Sequence, residues 1–464
     1  MTLLVAGACT RPQEAATKDE RPAVPVVESS PATTPADAET PPGSRGSIVW
    51  WENDVEGAVA AAQRAGRPIL VDMWAPWCHT CLSMQAKVLV DPRVVAFADR
   101  YTWLAVDTDR PENASVVERL EMSMWPTFFI LDPTGRSVLG IFGGAASAAQ
   151  FEAFLGDGLE AAGTANVDPL AVALASASQA VAQGRHEAAR AALQSALAKA
   201  PANWPRRADV LVELARTLDK QGSAEGCAAL GSRELASVAA SRAASTTDFV
   251  LYISRCIESL PAATRDELRG AMRDALVALS NDAAASLSVD DRSDLLYNLR
   301  RLQETLGADD AAKTAARRQR DLLKRAYDAA GTPEEAKIYA WPRAEVHVYL
   351  GEGEALIPDL ERLAQTLPDA YDPPYRLGWL LHKTGRSKAA VEPLRRALAR
   401  VYGPRKAHVW ATLAEVYEAL GRRSEALEAR RDAVAHLERM PTTSRNAKAL
   451  VAAKTALREL ETAG

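Results

Sequence analysis

Two stretches near the C-terminus, LGWLLHKTGRSKAAVEPLRRAL (377–398) and LAEVYEALGRRSEALEARRDAV (413–434), superpose with a shift of 36 residues. Leu377 falls on Leu413, Gly378 on Ala414, Leu381 on Tyr417, Gly385 on Gly421, Ala390 on Ala426 and Ala397 on Ala433. Each copy reads as two amphipathic helices around a glycine. Such a unit cannot bury its apolar face alone and is stable only when stacked on its neighbours. An earlier copy, AVAQGRHEAARAALQSALAKAP, keeps the offsets through Gly184, Ala189, Leu193, Ala196 and Pro201, and weaker units run over 211–222 and 344–367. Between about 223 and 340 the period blurs, and that part reads as helical without a legible repeat. GEGEA at Gly351 fits a helix-to-helix turn better than a nucleotide loop.

Upstream of Gly163 the pattern is different. IVWWEN (48–53) reads as a short strand, and 54–65 as a helix capped by Asp54. ILVDMW (69–74) is a continuous apolar strand interrupted by one acid, Asp72. Further strands are expected at 101–107, 127–131 and 137–142, the last two as a hairpin around DPTG. Helices are expected at 78–88, 113–120 and 147–159. The order βαβαβαββα, followed by helices alone, makes a 464-residue chain of at least two domains: an α/β domain over 47–163 and an all-α domain over 164–464.

The stretch VDMWAPWCHTC places Cys78 and Cys81 at the junction of a strand and a helix, where a CxxC pair reads as redox-active. A helix N-terminus carries partial positive charge and unpaired N–H groups, both of which stabilise a thiolate. Cys78, nearest the helix start and solvent, is therefore the expected nucleophile, and Cys81, one turn on, the resolving thiol. A zinc site would need two further ligands, and no second CxxC and no HxxxH is present, so no metal is expected. A purely structural staple gains little from so short a loop.

These residues resemble the thioredoxin family. VDMWAPWCHTC is similar to its active-site strand and turn, and MWPT (124–127) to its cis-proline loop. The resemblance implies that Asp72 is the buried acid that moves the proton of Cys81. It implies that Trp77 flanks the nucleophile, and that Pro126, behind Trp125, presents backbone to an extended substrate. Within the family, RPILVDMWAPWCHTC followed by DPRV is most similar to the C-terminal periplasmic domain of DsbD-type thiol:disulfide interchange proteins, over about 47–160. The 44 residues between Cys81 and Pro126 leave little room for the insertion of the cytochrome-maturation thioredoxins. Between the cysteines stand His79 and Thr80 instead of Gly-Pro; a charged His79 would stabilise a thiolate and raise the potential, and a solvated His79 would do neither. Trp103 stands where thioredoxins commonly carry a lysine. The repeats resemble the tetratricopeptide repeat (TPR), with Trp410 where that repeat favours tryptophan. Together these imply a thioredoxin-like α/β domain followed by a TPR-like solenoid.

The chain opens MTLLVAGACT, which resembles the end of a bacterial lipoprotein signal over residues 1–9, with Cys9 as the lipidated residue and a true start upstream. Residues 10–46 contain seven prolines and almost no large apolar side chains, as expected of a disordered, extended tether. The implied location is extracytoplasmic, membrane-anchored and facing the periplasm, where disulfides persist. Cys227 and Cys256 occupy apolar helical positions and could pair there, but sequence supplies no distance. The basic clusters Arg422-Arg423 and Arg430-Arg431 read as solvated faces.

A net charge of −5 argues against nucleic acid as a partner. The expected activity is thiol-disulfide exchange that reduces protein disulfides. It needs no cofactor beyond the Cys78–Cys81 disulfide, and it takes electrons from another protein because no flavin or nicotinamide motif is present. The solenoid would offer a face to a peptide or protein ligand. Two other readings remain open: a TPR scaffold or holdase chaperone whose α/β domain recruits clients, and a thiol oxidase or isomerase.

Overall fold

A computed structural model describes residues 43–45, 47–122, 124–163, 169–201 and 203–462. Cys9 and residues 10–42 and 46 of the expected tether lie outside the described residues. The order of the α/β part is β1 (Gly43–Arg45), β2 (Ile48–Glu52), α1 (Val55–Ala65), β3 (Ile69–Trp74), α2 (His79–Ser83), α3 (Pro92–Val95), β4 (Thr102–Asp107), α4 (Ala114–Arg119), β5 (Thr127–Leu131), β6 (Val138–Gly143) and α5 (Ala148–Ala162). Strand β1 falls inside the stretch expected as tether and extends the sheet by one edge strand. The short α3 was not anticipated either. After α2 the helix widens into a π-helical turn over Met84–Val88.

The sheet order is β1-β2-β4-β3-β5-β6. Strand β3 lies parallel to β4 and antiparallel to β5, with Asp72 opposite Ala105 on one side and Phe128 on the other. A strand in that position is covered on both faces, which is why its apolar run does not alternate. Leu70, Trp103, Ala105, Phe128 and Ile130 point to one side, against Met84 and the α5 residues Phe151, Phe154 and Leu155. The Phe128 and Phe151 rings meet edge to face at 4.7 Å, a contact that adds about 1 kcal/mol to the burial of both rings. Val71, Met73, Leu104, Val106 and Phe129 point the other way, onto Ala58 and Ala62 of α1. Trp103 meets Trp50 edge to face at 5.2 Å, so the position is part of the core.

From Pro169 onward the chain forms successive antiparallel helix pairs, a TPR-like stack. Asp372–Lys383 pairs with Ser387–Leu398 and Arg405–Ala419 with Arg423–Glu438, as the 36-residue repeat requires. The turns at Gly385 (φ 80°) and Gly421 (φ 69°) adopt the left-handed conformation that favours glycine. Gly378 has a packing reason as well: a Cβ there would lie 2.6 Å from Leu394 Cγ. Helix packing continues through the blurred stretch: Val289–Thr305 lies against Asp309–Asp328, whereas Ser245–Cys256 packs mainly on Arg207–Lys220 and Ala224–Ala239 and only lightly on Ala262–Asn281. The link from Ser245–Cys256 to Ala262–Asn281 runs through Pro261 rather than glycine, which breaks the sequence period. Gly351 is a helix-to-helix turn, as expected. No helix among the described residues is long and apolar enough to cross a membrane.

The two parts are one packed body, residues 41–464. Ala180, Val181, Ala182 and Ala189 of the first hairpin complete the core on the Val71 side of the sheet. Cys227 and Cys256, 29 residues apart, form a disulfide between two neighbouring helices.

Candidate active site

Strand β3 ends at Trp74, and Cys78 is the N-cap of α2. Its Sγ accepts the Cys81 N–H at 2.9 Å, which is how an unpaired donor at a helix start supports a sulfur anion. Cys78 and Cys81 form a disulfide, with Cα atoms 5.2 Å apart. The Trp125–Pro126 bond is cis. The loop is closed by Thr127 Oγ1 donating to Met124 O (2.8 Å) and by Gly144 N–H donating to Pro126 O (2.9 Å). Trp74, Trp77 and Trp125 pack against the cysteines. Trp77 and Trp125 lie 5.3 Å apart; their indole N–H groups donate to Asp109 Oδ2 and Thr108 Oγ1, both at 2.8 Å.

Asp72 is 1% exposed and accepts from Gln85 Nε2 at 3.2 Å. Gln85 belongs to the π-helical turn that follows the cysteines, so that widening brings a donor to the buried acid. Thr80 is buried, its hydroxyl 3.5 Å from His79 Nδ1.

The face of the α/β domain that carries the cysteines is the one on which the helical domain docks. Cys78 is only 4% exposed and Cys81 1%, which corrects the expectation of a nucleophile near solvent. Arg405 lies 4.6 Å from the Trp77 ring and Arg445 4.9 Å from the Trp125 ring. Arg376 donates to Trp77 O at 3.3 Å and pairs with Asp372 at 3.0 Å. Arg445 also donates to Asp109 Oδ1 at 2.8 Å. Tyr402 donates to Asp107, and Lys87 to Glu335. Trp77 and Trp125 thus occupy the expected positions beside the cysteines, but under arginines of the other domain.

His79 is only partly solvated, its side chain 23% exposed. Its Nδ1 lies 2.8 Å from Oδ1 of Asp290, which is 1% exposed, on the helix Val289–Thr305. Burial alone would strip the imidazole of its proton. The carboxylates of Asp290 and Asp294 outweigh that, and the Asp290 hydrogen bond with them, so the pKa rises to about 9 against an opposing push from Arg376. Burial raises Asp294 to about 7, with His79 pulling down and Asp290 and Asp291 pushing up. His79, Asp290 and Asp294 bring one ligand-type atom each within 4.8 Å of one another. Within this group the imidazole and the Asp290 carboxylate are bonded directly.

Of the residues expected from sequence, the structure groups Cys78, Cys81, Trp77 and Trp125, with His79 and Thr80 between the cysteines, the cis bond at Pro126 and Asp72 buried in β3. Nothing in the sequence pointed to Asp109, Asp290, Arg376, Arg405 and Arg445. The last four lie on helices far along the chain, where a single charge gives no local signal of what it faces.

A thioredoxin-like family model matches residues 50–133, so this part is a thioredoxin-like domain. The chain is 28% identical over 119 residues to the thiol:disulfide interchange protein DsbD 1 of Pseudomonas aeruginosa, a match that covers 24% of this chain and 18% of the relative. It is 41% identical over 63 residues to thioredoxin 1 of Synechococcus elongatus, covering 14% of this chain and 55% of the relative. The chain therefore spans well under two thirds of either relative. A solved tetratricopeptide repeat protein from Parabacteroides merdae is 14% identical, covers 61% of this chain and 98% of its own, and gives a TM-score of 0.39.

Proposed function

We propose that the protein is an extracytoplasmic thiol-disulfide oxidoreductase that reduces protein disulfides. The observation that carries this reading is the Cys78–Cys81 disulfide at the start of α2, with the Cys81 N–H on Cys78 Sγ and the cis-Pro126 loop alongside. In the reduced protein the Cys78 thiolate attacks one sulfur of a substrate disulfide. That S–S bond breaks, a mixed disulfide forms, and the other substrate sulfur leaves and takes a proton. Cys81 gives its proton to Asp72 and attacks the Cys78 sulfur, releasing the second substrate thiol. Two electrons have then passed to the substrate, the Cys78–Cys81 disulfide remains, and a donor dithiol protein must reduce it again. Trp77, Trp125 and Pro126 line the path of the substrate backbone, and the helical domain decides what can reach it.

The extracytoplasmic location is supported by the second disulfide, Cys227–Cys256, a bond that persists in oxidising compartments. Membrane attachment through Cys9 belongs to the same proposal, and labelling with a radioactive fatty acid tests it.

Cys81→Ser supplies the decisive experiment for the activity. It should accumulate a mixed disulfide with substrate, Cys78→Ser should form none, and an unchanged exchange rate in Cys78→Ser would sink the proposal. The charged His79 beside Cys78 favours a second reading, a thiol oxidase or isomerase, because it stabilises the reduced pair. The potential of the pair separates the two: near −270 mV, as in thioredoxin, it gives electrons away, and near −120 mV, as in DsbA, it takes them.

A further inference from the structure

We propose that Asp290 of the helical domain is a positioning residue of the redox centre, clamping His79 as the counter-charge of the Cys78 thiolate. This rests on the thiol-disulfide exchange proposed above, in either direction.

His79 is the first residue of α2 and the chain neighbour of Cys78. Its ring is held across 211 residues by a carboxylate that is almost wholly buried. A buried carboxylate without a cation is costly, so Asp290 and His79 need each other. Asp291, beside Asp290, is committed elsewhere: its carboxylate accepts the Ser288 N–H at 2.8 Å in a capping box. Asp294, one turn on, adds negative charge, and Arg376 opposes it. The helix Pro333–Ile338 also packs on α2, and the charges it brings there are those of the Lys87–Glu335 pair, with Tyr339 just beyond. The strongest partner facing the imidazole is therefore Asp290. With the proton secured on the ring, His79 stays charged at neutral pH although most of its side chain is covered.

The consequence lies in the reduced state. When a donor dithiol breaks the Cys78–Cys81 bond, two electrons enter, Cys81 takes one proton, and Cys78 remains a thiolate with the imidazolium carried by the next residue in the chain. Stabilising that species raises the potential of the pair and lowers the pKa of Cys78. Asp290 acts on the sulfur only through the ring, whereas the ring sits on the adjacent residue. Removing the carboxylate removes more positive than negative charge from the neighbourhood of Cys78. The helical domain is then part of the active site, and the potential of the pair depends on its being docked.

The experiment uses the full chain, equilibrated at pH 7 with glutathione buffers and read by thiol trapping, together with the pH profile of iodoacetamide alkylation of reduced Cys78. Asp290→Asn should shift the equilibrium about tenfold toward the disulfide, equivalent to about 30 mV, and move the alkylation midpoint up by a unit or more. Asp290→Glu should recover part of both shifts. Glu335→Gln loosens a neighbouring contact that does not touch His79, and should leave both unchanged. His79→Gln tests the same bond from its other end; it should reproduce the shift and make Asp290→Asn silent in the double variant. No shift in Asp290→Asn, a shift toward a more oxidising pair, or the same shift in Glu335→Gln would overturn the proposal. A wild-type pair that never exchanges with glutathione would instead sink the oxidoreductase reading itself.

Discussion

His79 Nδ1 sits 2.8 Å from Asp290 Oδ1, so the redox turn is bonded to a helix 211 positions further along the chain. Opposed by burial but held by the carboxylates of Asp290 and Asp294, the histidine pKa rises from 6.5 to about 9. A histidine whose pKa is raised by folding contributes stability that is fully present below about 6.5 and is lost as pH climbs through 9. Asp294, raised by burial to about 7, acts in the same direction at lower pH, because its ionisation between about 4 and 7 opposes the folded state. The oxidised protein should therefore lose about 2–3 kcal/mol more between pH 7 and pH 10 than His79→Gln does. Denaturant unfolding at the two pH values measures this, and equal losses in the two proteins would contradict it.

Asp72 makes a kinetic prediction. Its carboxylate is buried in β3 and held by Gln85, and the proposed chemistry uses it only in the second step, when Cys81 loses its proton. Asp72→Asn should leave the first attack by Cys78 unchanged and slow the release of the mixed disulfide by roughly a hundredfold, within the usual range of general-base catalysis. Rapid-quench trapping resolves the two steps. If both keep their wild-type rates while stability changes, Asp72 is only a satisfied buried acid.

Much of the α/β domain was legible because its signals are local. An Asp54 cap, an apolar run at β3, a cysteine before a helix and a proline after Trp125 each announce a conformation within a few residues. The late hairpins were legible for the same reason, through glycine turns and small residues at fixed offsets. Three features could not be read. The pairing of Cys227 with Cys256 depends on how two helices cross. The two helices over 245–281 are joined at a proline, so the glycine period disappears there. The burial of Cys78 depends on Arg376, Arg405 and Arg445, whose surface-like sequence context gives no hint that Arg405 and Arg445 lie over Trp77 and Trp125 of another domain and that Arg376 bonds the Trp77 carbonyl. The ambiguity over His79 has the same origin: its environment is supplied by Asp290.

The Cys227–Cys256 bond closes a loop of 29 residues between two buried helices. On the loop-entropy account a link of that length stabilises the fold by about 3–4 kcal/mol. The double variant Cys227→Ala, Cys256→Ala should lose that much in equilibrium unfolding while keeping the Cys78–Cys81 exchange. The Cys78–Cys81 pair is no more exposed than this bond. What separates them is the stabilised Cys78 thiolate, which makes its disulfide the easier to reduce, so mild reductant that opens the redox pair should leave Cys227–Cys256 closed. Mass spectrometry after alkylation reports which cysteines are free, and simultaneous opening of both pairs would contradict the assignment.

Gly403 tests whether the docked helical domain controls access to the cysteines. It has a φ of 59°, and a Cβ built on it would lie 1.8 Å from the backbone oxygen of Asp109. Asp109 in turn holds the indole of Trp77 and the guanidinium of Arg445, so this backbone contact seats the cover beside the redox turn. Gly403→Ala must push the two domains apart here, a misfit that costs about 1–3 kcal/mol. Since each 1.4 kcal/mol changes an equilibrium tenfold, the uncovered state should become at least several times more populated. Reduction of the Cys78–Cys81 disulfide by a protein reductant should then accelerate by a similar factor, and reduction by dithiothreitol by less, because a small thiol needs less room. Stopped-flow tryptophan fluorescence can follow both reactions through Trp77 and Trp125. If the variant is destabilised but the protein reductant works no faster on it, docking does not govern access, and substrates reach Cys78 by another route.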